Sequence, residues 1–150
     1  MKIIVFDTEG DGLAYDCTKL HIMSWTTDGK TYLSTDDYEE MNYVLSQYDL
    51  RVCHNSIRHD MVAFNRVTGL GMDYTKYVDS LALSWYLFPN RTEHGLEAWG
   101  VDLGYPKVDV GDDEWKHMTW DRAKERCERD VEINWHLWKK IESKLERLYG

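Results

Sequence analysis

The chain has 150 residues with a formal net charge of −9, and 43% of them are hydrophobic. This length and composition predict one folded domain with a substantial core rather than a disordered chain. The acidic balance argues against a protein that coats nucleic acid through phosphate contacts, although bound metal ions can supply positive charge locally. No apolar run approaches the roughly 20 residues of a membrane helix, and the first residues lack a signal-peptide pattern.

The first half of the chain is rich in strand signals. A β-branched apolar run comes first, and a partly alternating segment then leads through the turn sequence at 28–30 into a return strand, which predicts a hairpin. Acidic residues open an amphipathic helix, and a second apolar strand follows it. The predicted ranges are 2–6, 20–27 and 31–35 for three strands, 36–48 for the helix and 50–55 for the fourth strand.

The second half predicts mostly helices. Its elements are a helix over 59–71 stopped by Gly69 and Gly71, a strand and helix over 77–88, a short helix over 94–104, an acidic loop over 109–118 and a long helix over 119–149. Thr119 is the expected N-cap of the long helix. A 4-3 spacing predicts its core-facing stripe, at positions 127, 131, 134, 138, 141, 145 and 148. The whole pattern predicts an α/β domain with a mixed sheet.

Two acidic residues stand two positions apart directly after the first predicted strand, in the sequence FDTEGDGL at 6–13. The two-residue period of a strand places Asp7 and Glu9 on one face and Thr8 on the other. Two carboxylates on one face repel each other unless a cation lies between them, and Mg²⁺ or Mn²⁺ prefers such oxygen ligands. A solvated acidic turn, with Asp11 and Gly12 as turn residues, is an equally good explanation of this stretch alone.

Two further acidic residues accompany later elements. Asp60 stands at the start of a predicted helix, after the strand that ends near Asn55, and a carboxylate there also favours the helix dipole. Asp130 is next to Val131 on the core-facing stripe of the long helix, where an unpaired carboxylate is unfavourable. On local grounds, a salt bridge from Arg126 one turn earlier is the simpler explanation of Asp130.

Three short motifs carry a resemblance to a known family. FDTEG, HNSIRHD and RCERDV resemble the three exonuclease motifs of the DEDD, or DnaQ-like, 3′–5′ exonucleases. The chain is most similar to the proofreading domain of phage-type family A DNA polymerases, in which an asparagine stands five residues before the second-motif aspartate, as Asn55 and Asp60 do. Linking segments of that group appear in the same order, at 78–85, 94–104 and 105–110.

The resemblance implies a fold and a chemistry. The fold would be ribonuclease H-like, with a mixed five-stranded sheet flanked by helices. Two divalent cations, Mg²⁺ or Mn²⁺, would lower the pKa of an attacking water and stabilise the displacement that releases 5′-mononucleotides from the 3′ end of single-stranded DNA. The matching positions are Asp7, Glu9, Asp60 and Asp130 for metal binding and catalysis, and Thr8, Leu13 and Asn55 for binding of the terminal nucleotide.

The chain departs from the family at the residue that orients the attacking water. The family places a tyrosine four residues, or a histidine five residues, before its last aspartate, and this chain has Arg126 and Glu125 there. Arg126 cannot act as a base, because an arginine guanidinium keeps its proton in proteins, but it can hydrogen-bond the scissile phosphate or pair with Asp130. A missing orienting group predicts a rate lower by roughly 10²- to 10⁴-fold. Three outcomes stay open: full activity by another route, slow activity, or loss of catalysis with binding retained, as in a nucleic-acid-end binding or polymerase accessory module.

The resemblance also sets expectations for organisation and partners. We expect a single exonuclease domain over 1–150 without a polymerase domain. It would proofread DNA replication beside a separately encoded DNA polymerase, or act alone on DNA or short RNA. Three scattered cysteines without CxxC spacing predict a cytoplasmic protein, in the host cytoplasm if a phage encodes it. A protein-interaction domain would fit the acidic charge but has no reason to keep four acids. Lys107 and Trp115 are candidate contacts to a nucleic-acid strand.

Overall fold

The computed structural model describes residues 1–69, 73–111, 113–114 and 117–150. Five strands form one sheet: β1 (Ile3–Gly10), β2 (Leu20–Thr26), β3 (Leu33–Thr35), β4 (Leu50–Cys53) and β5 (Tyr77–Asp79). Their order across the sheet is β3-β2-β1-β4-β5. The β1–β2 and β2–β3 pairs are antiparallel, whereas the β1–β4 and β4–β5 pairs are parallel. The predicted mixed sheet, with an antiparallel hairpin beside central strands, is confirmed.

Helices cover both faces of the sheet. They are α1 (Tyr38–Ser46), α2 (Met61–Thr68), α3 (Ser80–Leu87), α4 (Leu96–Leu103) and α5 (Trp120–Tyr149). The alternation along β1 divides the core into two layers, because Ile4 and Phe6 pack with α1 and α2 while Val5 packs with α3, α4 and α5. Burial of both faces explains why the first half of β1, residues 3–6, is a continuous apolar run rather than an alternating one.

Several element boundaries differ from the prediction. β1 continues to Gly10 rather than ending at residue 6, because β2 pairs with it as far as that glycine. The acidic pair therefore lies within the strand. The predicted helix over 59–71 is shorter, since a π-helical turn over Ser56–Asp60 precedes α2 and Gly69 ends it with a φ of 69°. Gly71 lies outside the described residues.

The long helix α5 follows its predicted stripe for most of its length. Thr119 caps it by accepting a hydrogen bond from the backbone N–H of Arg122. The stripe is buried at five positions, which are Cys127, Val131, Asn134, Trp138 and Ile141. Leu148, however, is 57% exposed, because the helix continues past the edge of the core. No helix in the described ranges combines the length and the hydrophobicity that a membrane span requires.

Candidate active site

A cleft of about 270 Å³ opens where β1 and β4 end. Its walls come from β1, from the turn after β4, from α5 and from the segment between α4 and α5. The residues that line it are Asp7, Thr8, Glu9, His54, Asn55, His59, Asp60, Leu96, Lys107, Arg126 and Asp130. The cleft thus combines all four predicted acids with a lysine and an arginine.

The four acids arrive from three separate elements. Asp7 and Glu9 extend from β1 on the face that packs against α5, where Asp130 lies. Asp60 ends the π-helical turn on the α2 side, and its Oδ1 accepts a hydrogen bond of 2.6 Å from the Thr8 hydroxyl. The prediction that Thr8 faces away from Asp7 and Glu9 is consistent with this contact, because Asp60 approaches from the α2 side.

Two cysteines that sequence reasoning treated as ordinary thiols lie beside these acids. Ligand atoms of Asp7, Glu9 and Cys127 fall within 4.8 Å of one another, and so do those of Asp7, Cys53 and Asp60. Asp7 belongs to both groups and is therefore the centre of the cluster. The signal that could have revealed the cysteines is their position, since Cys53 ends β4 and Cys127 lies one turn before Asp130.

Burial and mutual repulsion disfavour ionisation of the cluster. Burial, followed by the charges of Asp60, Glu9 and Asp130, raises the pKa of Asp7 well above its ordinary value. Burial and the neighbouring Asp130 raise the pKa of Glu9 to about 8, although Arg126 opposes the change. Burial also raises the pKa of Asp60, against the effect of the Thr8 hydrogen bond. Ionisation of these carboxyl groups is therefore unfavourable in the metal-free site, and a bound cation would stabilise their ionised form.

The donor set fits a hard divalent cation. Carboxylate oxygens are the ligands that Mg²⁺ and Mn²⁺ prefer, and four carboxylates converge on this cleft. Asp130 is only 4% exposed, and its Oδ1 is buried without a hydrogen-bond partner in the described part of the chain. A buried acceptor in that condition is unfavourable unless another group satisfies it, which a bound cation would do.

Arg126 and Lys107 contact the acids directly. The Arg126 guanidinium Nε lies 3.5 Å from Glu9 Oε1, and the Lys107 ammonium lies 3.6 Å from Asp130 Oδ2. Helix spacing alone predicts Arg126 as a partner for Asp130, one turn away on the same helix. The structure brings it to Glu9 on β1 instead, and the cation beside Asp130 is Lys107.

A hydrogen-bonded turn delivers Asn55 and Asp60 to the cleft. Asn55 has a left-handed φ of 65°, and its backbone N–H donates to Asp79 Oδ1 at 2.8 Å. The same carboxylate accepts from the N–H of Leu81, so Asp79 caps α3 and fixes the turn at once. Sequence reasoning missed Asp79, although an aspartate between a strand and a helix is a common N-cap signal.

His54 adds a second connection behind the cleft. Its Nδ1 is 2.8 Å from the Ser80 hydroxyl, and its Nε2 is 2.9 Å from the backbone carbonyl of His94. The Ser80 hydroxyl in turn lies 2.7 Å from Asn134 Oδ1 on α5. Burial lowers the pKa of His54 to about 4, so the ring is neutral at physiological pH and serves as a structural link.

The structure places two of the three predicted nucleotide-binding residues at the cleft. Thr8 and Asn55 line the cleft. Leu13 is 72% exposed on the loop between β1 and β2, outside the residues that line the cleft in the described part of the chain. Trp115 lies outside the described residues.

Comparison with known proteins identifies the fold. No family model matches the chain, and no curated protein matches it by sequence. Among solved structures, Brucella melitensis NrnC bound to pGG is 16% identical with a TM-score of 0.70, covering 98% of this chain and 74% of that one. The same protein with bound Mg²⁺ is 16% identical with a TM-score of 0.68, covering 98% and 75%. Exonuclease X in complex with 5′ overhanging duplex DNA is 14% identical with a TM-score of 0.56, covering 92% of each chain.

The fold is ribonuclease H-like. Its mixed five-stranded sheet flanked by helices is the architecture that the sequence resemblance implied.

Proposed function

We propose that the chain is a metal-dependent 3′–5′ exonuclease of the DEDD type, which removes 5′-mononucleotides from single-stranded nucleic-acid ends. The observation that carries the proposal is the convergence of Asp7, Glu9, Asp60 and Asp130, from three separate elements, on one cleft. Burying four acids together is unfavourable for a protein that only needs to fold, because the charges of Asp60, Glu9 and Asp130 add to burial in raising the pKa of Asp7.

Each acid has a distinct part in this proposal. Asp7 belongs to both groups of potential ligands and would therefore help to hold both cations. Asp60 would contribute from the α2 side of the cleft, and Glu9 and Asp130 from the α5 side. Two Mg²⁺ or Mn²⁺ ions held there would activate a water and stabilise the charge that develops at the scissile phosphodiester. Thr8 keeps Asp60 in place through its hydroxyl, and Asp79 holds the turn that positions Asn55 beside the cleft.

A nucleic-acid substrate is supported by the similar structures. NrnC was solved with pGG, and Exonuclease X with duplex DNA that carries a 5′ overhang. The net charge of −9 favours a substrate held at one end through metal ions over one bound along its backbone. The narrower proposal, a phage-type proofreading or stand-alone exonuclease in one domain, is supported by the sequence resemblance alone.

The test is a time course on 5′-labelled single-stranded DNA and RNA in Mn²⁺, Mg²⁺ or EDTA, resolved on denaturing gels. Wild type should give a ladder that shortens from the 3′ end only with metal. Asp7→Asn should give none, whereas Asp36→Asn, at an exposed acid before α1, should match wild type. Equal cleavage by Asp7→Asn, or cleavage in EDTA, would refute the metal-site assignment.

A second candidate function is a binding module for nucleic-acid ends with little turnover. The contact between Arg126 and Glu9 favours it. Arg126 takes the sequence position of the family's orienting tyrosine, and its guanidinium offsets the charge of Glu9, a proposed metal ligand. This candidate predicts that wild type binds Mn²⁺ and oligonucleotide ends without cleaving them. Arg126→Tyr should then raise the cleavage rate, whereas a lower rate in that variant would rule the candidate out.

A further inference from the structure

Three arginines of α5 hold the segment that carries Lys107. Arg129 Nη1 donates to the Pro106 carbonyl at 2.7 Å, Arg126 Nη1 donates to the Val108 carbonyl at 3.2 Å, and Arg122 donates to the Asp109 carbonyl. Their spacing of about one helical turn matches a segment that runs antiparallel to α5. We call Arg122, Arg126 and Arg129 the arginine clamp.

The start of the segment is also fixed. The N–H of Tyr105 donates to the Gly100 carbonyl at 2.8 Å, and the Tyr105 ring stacks on His136 of α5 with ring centroids 4.4 Å apart. Residues 105–109 form neither a helix nor a strand, so these contacts define their path. Their effect is to hold the Lys107 ammonium inside the acidic cleft.

The two cations of the cleft contact their carboxylates loosely. Their N–O distances of 3.5 and 3.6 Å exceed the roughly 2.7–2.9 Å of a tight charge-assisted hydrogen bond. The Lys107 side chain is 28% exposed and that of Arg126 is 13% exposed, so both remain within reach of a ligand in the cleft. The acids that they contact, Asp130 and Glu9, are two of the four that metal binding would engage.

We propose that Lys107 and Arg126 form a phosphate-binding pair for the terminal phosphodiester. The inference rests on the proposed function. Divalent cations would satisfy the carboxylates, and the ammonium and guanidinium would then bind the non-bridging phosphate oxygens. The arginine clamp keeps Lys107 in position for this exchange. The pair also gives Arg126 a role at the position where the family has a tyrosine, since it binds the reacting phosphate group without acting as a base.

The main test compares Lys107→Gln with Lys139→Gln, whose lysine lies on α5 and pairs with Glu142. Calorimetry measures Mn²⁺ binding alone and then thymidine 5′-monophosphate binding in saturating Mn²⁺. Lys107→Gln should weaken nucleotide binding by about 10- to 100-fold, as expected for a charged hydrogen bond, while Mn²⁺ binding becomes no weaker. Lys139→Gln should match wild type in both. Unchanged nucleotide affinity, or a parallel loss of Mn²⁺ affinity, would overturn the phosphate role of Lys107.

The clamp is tested at Arg129, which does not line the cleft in the described part of the chain. Arg129→Gln should weaken nucleotide binding severalfold without weakening Mn²⁺ binding, and Arg129→Lys should restore most of it by donating to the same carbonyl. Wild-type nucleotide affinity in Arg129→Gln would refute the positioning role.

Failure of the inference can be separated from failure of the proposed function. A wild-type protein that binds no Mn²⁺ and cleaves nothing would overturn both. A wild type that binds Mn²⁺ and cleaves DNA, with Lys107→Gln equal to it in nucleotide affinity and kcat/KM, would overturn the phosphate-binding pair alone.

Discussion

Replacing Glu9 by glutamine should stabilise the metal-free protein at neutral pH while removing a proposed metal ligand. Burial and Asp130 raise the pKa of Glu9 from 4.5 to about 8. A carboxylate with a raised pKa in the folded state takes up a proton on folding at every pH between those two values. Its contribution to stability is therefore greatest below pH 4.5 and is lost as pH rises towards 8. Glutamine is neutral in both states and avoids this loss.

The size of the effect follows from the same values. Each pH unit above the ordinary pKa of 4.5 costs the wild type about 1.4 kcal/mol until the folded pKa is reached. Glu9→Gln should thus stabilise the metal-free protein by roughly 3 kcal/mol at pH 7 and by less than about 1 kcal/mol at pH 5. For a chain of 150 residues, the pH 7 gain corresponds to a rise in Tm of about 6–12 °C.

The assay is thermal unfolding in EDTA, followed by circular dichroism between pH 5 and pH 8. The difference in Tm between Glu9→Gln and wild type should grow steadily with pH. Glu39→Gln, at an exposed acid in the first turn of α1, serves as the matched control and should show no such growth. A difference that stays constant, or a variant less stable than wild type at pH 8, would refute the account of crowded acids.

Three further predictions concern the metal, the turn after β4 and a close approach. Saturating Mn²⁺ should raise the Tm of wild type more at pH 8 than at pH 5.5, because protons compete at lower pH, and Asp7→Asn should lose most of that rise in thermal scans. Asp79→Ala should lower the unfolding free energy in urea by about 2–3 kcal/mol, because Asp79 caps α3 and fixes the turn; an effect below about 0.5 kcal/mol would contradict this role. Gly29→Ala should destabilise the protein more than Gly69→Ala, since both glycines have a positive φ but only at Gly29 would the added Cβ overlap the Trp135 indole. Equal losses in thermal unfolding would show that the indole moves aside.

Much of the fold followed from local pattern. The apolar run of β1, the turn at 28–30, the glycine after α2 and the spacing along α5 each predicted an element that the structure contains. The boundaries were less predictable because they depend on partners. β1 extends to Gly10 because β2 pairs with it there, and the stripe of α5 fails at Leu148 because the core ends before the helix does.

The candidate site was also only partly predictable from local sequence pattern. Asp7 and Glu9 could be placed on one face from the strand period alone, whereas their proximity to Asp60 and Asp130 depends on tertiary structure. The contacts of Arg126 show the limit of local reasoning. Helix spacing favoured a pair with Asp130, but the guanidinium contacts Glu9 on β1 and the Val108 carbonyl. The part of Lys107 in the cleft is likewise set by a segment that has no periodic pattern.

The most direct test of the central claim uses an oligonucleotide with a radioactive phosphate only in its last phosphodiester bond. Products of reactions in Mn²⁺ and in EDTA are separated by thin-layer chromatography. A metal-dependent 3′–5′ exonuclease should release the label first, as a nucleoside 5′-monophosphate, only with Mn²⁺ and not in Asp7→Asn. Label that stays in the oligonucleotide while Mn²⁺ is bound, or that is released in EDTA, would contradict the assignment of Asp7, Glu9, Asp60 and Asp130 to metal-dependent hydrolysis.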